Sequence, residues 1–329
     1  MTSIESILEV AREAGRQAAL VCRAVHADTP ESMDKGDKSP VTIADYGSQA
    51  VILRQIQAAF PDHGVISEEG SEHLRESAGE AGTAKIVQLV SDVIGAQSNF
   101  EEVCGWIDHA GVDGAEYTWA IDPIDGTKGF LRRQQYAIAI GLMRNGVPFA
   151  GVMVCPNLPV DMDKPEGQVG VMFAAAKGHG TVSVPIDGGE EAPISVSKSE
   201  DPADWRVLGS VESAHGDPTL VVAMMEHAGV GGGFVRYDSQ VKYGIVANGT
   251  GEIYVRPRSK PDYRENIWDH VAGVIVCEEA GGRVTDVDGK PLDFTLGQRL
   301  LENRGVLATC GGVVHDMVVA GFAAAEAKA

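Results

Sequence analysis

Trp119-Ala120-Ile121-Asp122-Pro123-Ile124-Asp125-Gly126-Thr127-Lys128-Gly129-Phe130 runs an apolar strand into two carboxylates three positions apart, with Gly-Thr directly behind them. Pro123 stiffens the turn that carries both acids, so Asp122 and Asp125 can aim oxygen ligands at a hard cation such as Mg2+. Gly126 and Thr127 then open a helix whose first backbone N–H groups can accept a phosphate. Asp-Gly is also a common turn, and Asp-Pro is ordinary loop chemistry. Read alone, the stretch serves a phosphate site or a well-made loop equally.

Upstream of it, Gly64-Val65-Ile66-Ser67 reads as a short strand that delivers Glu68, Glu69 and Gly70. Ile4, Ile7, Leu8, Ala11, Ala14, Ala18 and Val21 recur at helical spacing and predict an amphipathic helix ending near Val25. A second helix is predicted from about Asp45 to Ala59, stopped by Phe60-Pro61-Asp62, with the polar stretch from Asp34 to Thr42 as the loop between. Ser71 to Glu116 is the least legible segment, with one helix expected around Ala84 to Val93. Downstream, Tyr136 to Met143 is a buried strand, Asn145-Gly146 a hairpin turn, and Val147 to Cys155 the returning strand. Proline-bearing residues Pro156 to Pro165 mark an expected boundary between an α+β unit, 1–156, and an α/β unit, 157–329. In the second unit, strands at Val207–Val211, Glu252–Arg256 and Arg283–Asp286 alternate with helices at Pro218–His227, Tyr237–Asn248 and Trp268–Ala280. The last helix is stopped by Gly281-Gly282.

A chain of 329 residues exceeds one typical core and leaves room for a buried site. Its formal charge of -20 argues against DNA or RNA as a partner, since nucleic-acid binders carry a basic footprint. A small phosphorylated molecule stays admissible if cations neutralise the site. The five cysteines show no C-x-x-C spacing, which predicts reduced thiols and an intracellular, cytoplasmic setting. Glu5, Glu9 and Glu13 interrupt the amino-terminal apolar pattern, so no signal peptide is expected there. With no run of 18 apolar residues, no transmembrane span is expected either. The expectation is a monomer with neither a membrane nor a nucleic-acid partner.

Acids follow apolar segments at four places: Asp37, Glu68-Glu69, Asp122/Asp125 and Asp269. An α/β fold gathers ligands at such element ends. Each also has a plain reading: Asp269 as a helix cap, Glu68-Glu69 as a solvated turn, Asp37 as a loop acid. In this order, however, Gly64-Val-Ile-Ser-Glu-Glu-Gly70, the Asp122–Thr127 block, and Ile267-Trp-Asp-His-Val-Ala-Gly273 with Glu279-Ala-Gly-Gly282 resemble the inositol monophosphatase superfamily of lithium-sensitive, Mg2+-dependent phosphatases. The three blocks span residues 64 to 282. Lys35-Gly-Asp-Lys-Ser-Pro-Val-Thr-Ile-Ala-Asp45 and Lys128-Gly-Phe-Leu-Arg132 are similar to the 3'(2'),5'-bisphosphate nucleotidase branch. So are Ser210-Val-Glu212 leading to His215, Asp238-Ser-Gln-Val-Lys-Tyr243, and Tyr254-Val-Arg256. Two positions depart from that pattern: Arg133 stands where it has glycine, and Asn266 where it has lysine before Ile-Trp-Asp. Either could alter phosphate contacts at the rim.

The resemblance implies a layered α-β-α-β-α sandwich of the sugar-phosphatase type, combining α/β and α+β character. The first unit would hold metal and phosphate, the second a nucleotide pocket. Glu68, Asp122, Asp125, Asp269 and the backbone carbonyl of Ile124 would hold two or three Mg2+ ions, with Glu69 a further candidate ligand. Asp37 and Thr127 would orient and deprotonate a water, and Gly126 and Thr127 would bind the scissile phosphate. His215 and Arg256 would meet adenine, while Ser239 and Lys242 would meet the ribose and the phosphate that stays. The implied reaction is hydrolysis of the 3'-phosphate of adenosine 3',5'-bisphosphate to AMP. The resemblance also admits the 2'-isomer and 3'-phosphoadenylyl sulfate as further substrates, and it implies Li+ inhibition and a link to sulfur metabolism. An inositol (poly)phosphate 1-phosphatase is the alternative within the superfamily. A catalytically silent nucleotide- or metal-binding sensor is the alternative outside it, against which the retained carboxylates and Thr127 argue.

Overall fold

Helix α1 (Ile4–Asp28) buries Ile7, Ala11, Ala14, Ala18, Val21, Cys22 and Val25 along one stripe, as its apolar spacing predicts. The structure, a computed structural model, describes residues 3–28, 39–77, 79–212, 218–258 and 260–327. Helix α2 (Ser39–Ala59) lies against α1 and starts earlier than the expected Asp45. Pro40 falls in its first turn, where a missing N–H forfeits no intrahelical bond.

Strand β1 (Gly64–Ser67) is followed by α3 (Ser71–Ser77), α4 (Gly79–Ile94) and α5 (Phe100–Ile107), which fill the segment the sequence left mostly unread. Then come β2 (Tyr117–Asp125), the short α6 (Thr127–Leu131), β3 (Ala137–Arg144), β4 (Val147–Pro159), β5 (Val169–Ala176), β6 (Thr181–Pro185) and β7 (Ala192–Ile194). Among the described residues these seven strands form one sheet in chain order, β1 parallel to β2 and the rest antiparallel. Asn145 and Gly146 turn β3 into β4 with φ of 51° and 76°, the paired left-handed geometry for which Asn-Gly is suited. The expected boundary at 156/157 falls inside β4, and the sheet continues to Ile194.

Beyond it lie β8 (Val207–Gly209), α7 (Pro218–Ala228), β9 (Phe234–Arg236), α8 (Val241–Ala247), β10 (Ile253–Arg256), α9 (Val271–Glu279), β11 (Arg283–Thr285), β12 (Val306–Thr309) and α10 (Gly312–Glu326). The second sheet, again among the described residues, runs β11-β12-β10-β8-β9. Side-chain alternation along the strands separates the layers. Ile138 and Ile140 of β3 join the core under α1 and α2, whereas Ala137 and Ala139 join the core that holds α8 and α9. In β10, Tyr254 faces that same middle core, while Ile253 and Val255 join the outer core with Met224 of α7 and Val318 of α10. The order is therefore helices, sheet, helices, sheet, helices: the α-β-α-β-α sandwich.

Helix α9 sits close to the first sheet where that face carries glycines. A Cβ on Gly141 would stand 2.6 Å from Val271 Cγ1, and one on Gly151 would stand 2.6 Å from Ile275 Cγ2. Helix α9 is thus drawn down onto β3 and β4, carrying the residues just before it toward the end of β2. All five cysteines are free thiols. Among the described residues no helix is long and apolar enough to cross a membrane.

Candidate active site

The two acids of the opening stretch lie on a strand rather than beyond it. Strand β2 continues through Asp125, but its register against β3 shifts between Asp122 and Asp125. Asp122 Oδ1 accepts the Ile124 N–H at 3.1 Å, folding the strand end around its own carboxylate as Asx turns do. The expected turn is therefore an irregular strand end. Gly126 follows at φ 90°, and a Cβ there would stand 2.8 Å from Ser239 Cβ. Ser239 is itself left-handed, at φ 63°, so the Gly126 backbone and the Ser239 segment meet at a contact with no room for a side chain. This also corrects the expected helix from Tyr237: α8 begins only at Val241. The Gln240 N–H donates to the Asp125 carboxylate, tying that segment to β2.

Glu68 arrives from the end of β1, where its N–H donates to the Ile121 carbonyl at 3.2 Å. Asp269 arrives from a 3-10 turn, Ile267–Asp269, and the chain breaks at His270 before α9 starts. The expected continuous helix from Trp268 is thus split, and the split presents Asp269 to the cavity. Glu68, Asp122, Ile124, Asp125, Gly126, Thr127, Ser239, Lys242, Arg256 and Asp269 all line one cavity of about 450 Å³. Sequence reasoning named each of them, and the fold brings all ten together from five segments.

The acids strain against each other. Burial lifts the Asp122 carboxyl well above the usual carboxylate range, and the charges of Glu68, Asp125 and Asp269 lift it further. Glu68 keeps one side open to solvent, yet the protein around its carboxyl pushes it up to about 7, opposed by a hydrogen bond with Asp122 and aided by Glu69 and Asp125. Asp269 is raised by burial and by Asp125, against the pull of Arg256. Like charges gathered in a low-dielectric pocket favour either protons or cations.

Two cations line the same cavity. Burial lowers the Lys242 ammonium to about 7; it donates to the Tyr237 carbonyl at 2.9 Å and to the Ser239 carbonyl, and lies 5.0 Å from the Tyr254 ring centre. Arg256 Nη2 lies 2.8 Å from Glu265 and 3.5 Å from Asp269. Glu265 is almost wholly buried, and burial alone would raise its carboxyl, but Arg256 and His270 hold it at about 2. Glu265, Asp269 and His270 place potential ligand atoms within 4.8 Å of one another. The Arg256 guanidinium already supplies the positive charge there. At the rim, Glu212 takes Lys128 at 2.8 Å and Arg132 at 2.9 Å, and Arg132 reaches on to Asp238 at 2.6 Å.

Other expected residues stand elsewhere. Glu69 does not line the cavity; its N–H goes to Gln49 Oε1 at 3.0 Å and its carboxylate to Tyr46. Asp37 and His215 lie outside the described residues. Arg133 points away, donating to the His26 carbonyl at 2.8 Å, with φ 55° where the nucleotidase pattern has glycine. Asn266 does line the cavity. Two acids that do not line the cavity but act on residues that do were not singled out from the sequence. Asp45 is buried on α2, and burial with the charges of Glu69 and Glu68 raises its carboxyl well above the usual range. A lone acid on an otherwise buried helical stretch was the available signal. Glu265 carried only its nearness to Ile267-Trp-Asp269.

The model of the inositol monophosphatase family matches residues 3–326. The chain belongs to the inositol monophosphatase family. Within it, the chain is 36% identical over 305 residues to a 3'(2'),5'-bisphosphate nucleotidase of Schizosaccharomyces pombe, covering 88% of this chain and 85% of the relative. It is 40% identical over 321 residues to a protein of the same name from Oryza sativa, covering 92% and 89%. Among solved structures, an inositol monophosphatase from Anabaena superposes with a TM-score of 0.63 at 25% identity, covering 98% of this chain and 96% of the other. One from Zymomonas mobilis gives 0.65 at 18% identity, covering 98% and 100%, a likeness of fold.

Proposed function

We propose that this family member is a Mg2+-dependent phosphatase that removes the 3'-phosphate of adenosine 3',5'-bisphosphate, releasing AMP and phosphate. The observation that carries the proposal is the convergence of Glu68, Asp122, Asp125 and Asp269 on a cavity that Lys242 and Arg256 also line. The names of the similar relatives point to the same substrate.

The donor set fits Mg2+: four carboxylates and the Ile124 carbonyl are hard oxygens, and the raised proton affinities mark acids short of compensating charge. When bound, Mg2+ supplies Lewis acidity, making a coordinated water more acidic and stabilising the departing ribose oxygen. Around it, Gly126 and Thr127 present their backbone N–H groups to the scissile phosphate, and the Thr127 hydroxyl orients the water. Asp37 is one candidate for taking the water's proton. Asp45 is a second, favoured by its burial beside Glu68 and Glu69 and its raised pKa, the environment of a general base. Two Lys242 N–H groups are held by backbone carbonyls, which leaves the third donor for an oxygen of the phosphate that stays. Ser239 meets the ribose, and Arg256 and His215 the base. Li+ inhibition, action on the 2'-isomer and on 3'-phosphoadenylyl sulfate, a monomeric state and a cytoplasmic location belong to the same reading; the five free thiols support the last of these.

An inositol phosphate substrate is the second reading, favoured by the solved structures of similar fold. Phosphate release from adenosine 3',5'-bisphosphate, inositol 1-phosphate and inositol 1,4-bisphosphate, with and without Mg2+, separates the two. Turnover of an inositol substrate alone would reverse the specificity. Comparing Asp37→Asn with Asp45→Asn identifies the base: its loss removes turnover while Mg2+ binding persists.

A further inference from the structure

Gln49 is fully buried in α2, and its side-chain amide is devoted to the loop that delivers Glu68. Nε2 donates to the Glu69 carbonyl at 2.6 Å and to the Ile107 carbonyl at 3.0 Å, and Oε1 accepts the Glu69 N–H at 3.0 Å. The amide thus engages both polar groups of one residue, as the backbone of a neighbouring strand would. It does so where strand pairing stops. β1 ends at Ser67, and the Glu68 N–H is still held by β2 through Ile121. Past Gly70, Ser71 is held by Asp108, which accepts its N–H at 2.7 Å and its hydroxyl at 2.5 Å. Between those anchors Gln49 alone, among the contacts described, grips Glu69 by its backbone.

Gly70 would otherwise leave the loop free to swing. The half-buried Glu69 N–H and C=O, deprived of these partners, would turn to water or to new ones, so the loop would move if the amide were lost. We propose that Gln49 is a positioning residue that sets the Glu68 carboxylate at the height of Asp122, by substituting for the next rung of the β1 ladder. The inference rests on the proposed reading of Glu68 as a Mg2+ ligand.

The test is calorimetric titration of Mg2+ into the metal-stripped chain and into Gln49→Ala and Gln49→Glu, alongside kcat on adenosine 3',5'-bisphosphate at rising Mg2+. The glutamate variant keeps the size and the acceptor but loses the amide donors, and covers the case in which alanine fails to fold. Ile52→Val, a buried change on the same helix, is the control for general loosening. Expected are a Mg2+ Kd raised about tenfold or more in both Gln49 variants, kcat recovered to within about threefold at saturating Mg2+, and an unchanged Kd in Ile52→Val. Unchanged Kd values in the Gln49 variants, or an equal shift in Ile52→Val, would overturn the inference. Absence of Mg2+ binding by the unaltered chain would instead overturn the metal reading beneath it.

Discussion

Arg256 and Glu265 form a 2.8 Å ion pair within the cavity wall, their side chains only 13% and 3% exposed. Removing one charge of such a pair leaves the other buried without compensation. Glu265→Gln keeps the volume and one acceptor but not the charge, leaving Arg256 with the more distant Asp269. The expected cost is about 3 kcal/mol, seen as a midpoint of thermal unfolding lowered by roughly 4 °C. A shift under about 2 °C would mean that the pair contributes no net stability.

Gly126 has no space for a methyl group and a backbone that disfavours one. Its φ of 90° and the 2.8 Å approach to Ser239 Cβ both oppose alanine. Gly126→Ala should push the Ser239 segment away from β2, destabilise the fold by about 1–3 kcal/mol, and lower kcat/KM by about 100-fold or more. Steady-state kinetics at saturating Mg2+ checks this, since a change confined to stability would leave kcat/KM of the folded fraction intact.

His315 provides a pH signature remote from the cavity. The Thr285 hydroxyl donates to the Asp286 carbonyl, so at 2.9 Å it can only accept from His315 Nε2; His315 Nδ1 then accepts from the Thr309 hydroxyl. Both ring nitrogens are therefore satisfied in the neutral form. Burial and the nearby Arg283 lower the ring from 6.5 to about 4. Between those values the unfolded chain binds the extra proton, so the contribution is fully present above about pH 6.5 and is lost as pH falls toward 4. The total at stake is on the order of 3 kcal/mol. Denaturant unfolding at pH 7 and pH 5 should show a steeper acid loss in the native chain than in His315→Gln; equal slopes would rule His315 out as the source.

Much of the site was legible because its residues sit in short contiguous blocks whose chemistry is local. Asp122, Asp125, Gly126 and Thr127 occupy one strand end and one helix start, which spacing and turn chemistry reveal. The partner segments were legible by resemblance, and the fold delivers Glu68, Ser239, Lys242, Arg256 and Asp269 to the same cavity. Geometry set by tertiary contact was not legible. The left-handed Ser239 shortens a helix that its sequence would extend, and the break at His270 splits another. Glu69, beside Glu68 in sequence, is turned toward Tyr46 and Gln49. Asp45 takes its environment from Glu68 and Glu69, more than twenty positions away, and Glu265 from a side-chain ion pair with Arg256 that spacing does not reveal. Segment 71–116 resisted reading because its three helices show no single long apolar period.

The central claim is that the carboxylate cluster holds the cations that drive phosphate release. Asp122 is the most buried member and the one most opposed by its neighbours. Asp122→Asn removes an acid that folding without metal must either keep charged among like charges or force to take a proton, so the metal-free variant should unfold a few degrees higher than the native chain. The decisive measurement is Mg2+-dependent phosphate release from adenosine 3',5'-bisphosphate by the native chain and by folded Asp122→Asn. The expected result is turnover by the native chain that EDTA abolishes and Mg2+ restores, with a loss on the order of 1000-fold in the variant, since the cation's Lewis acidity is then lost or misplaced. Turnover by the native chain that survives EDTA, or by Asp122→Asn at a native rate, would contradict it.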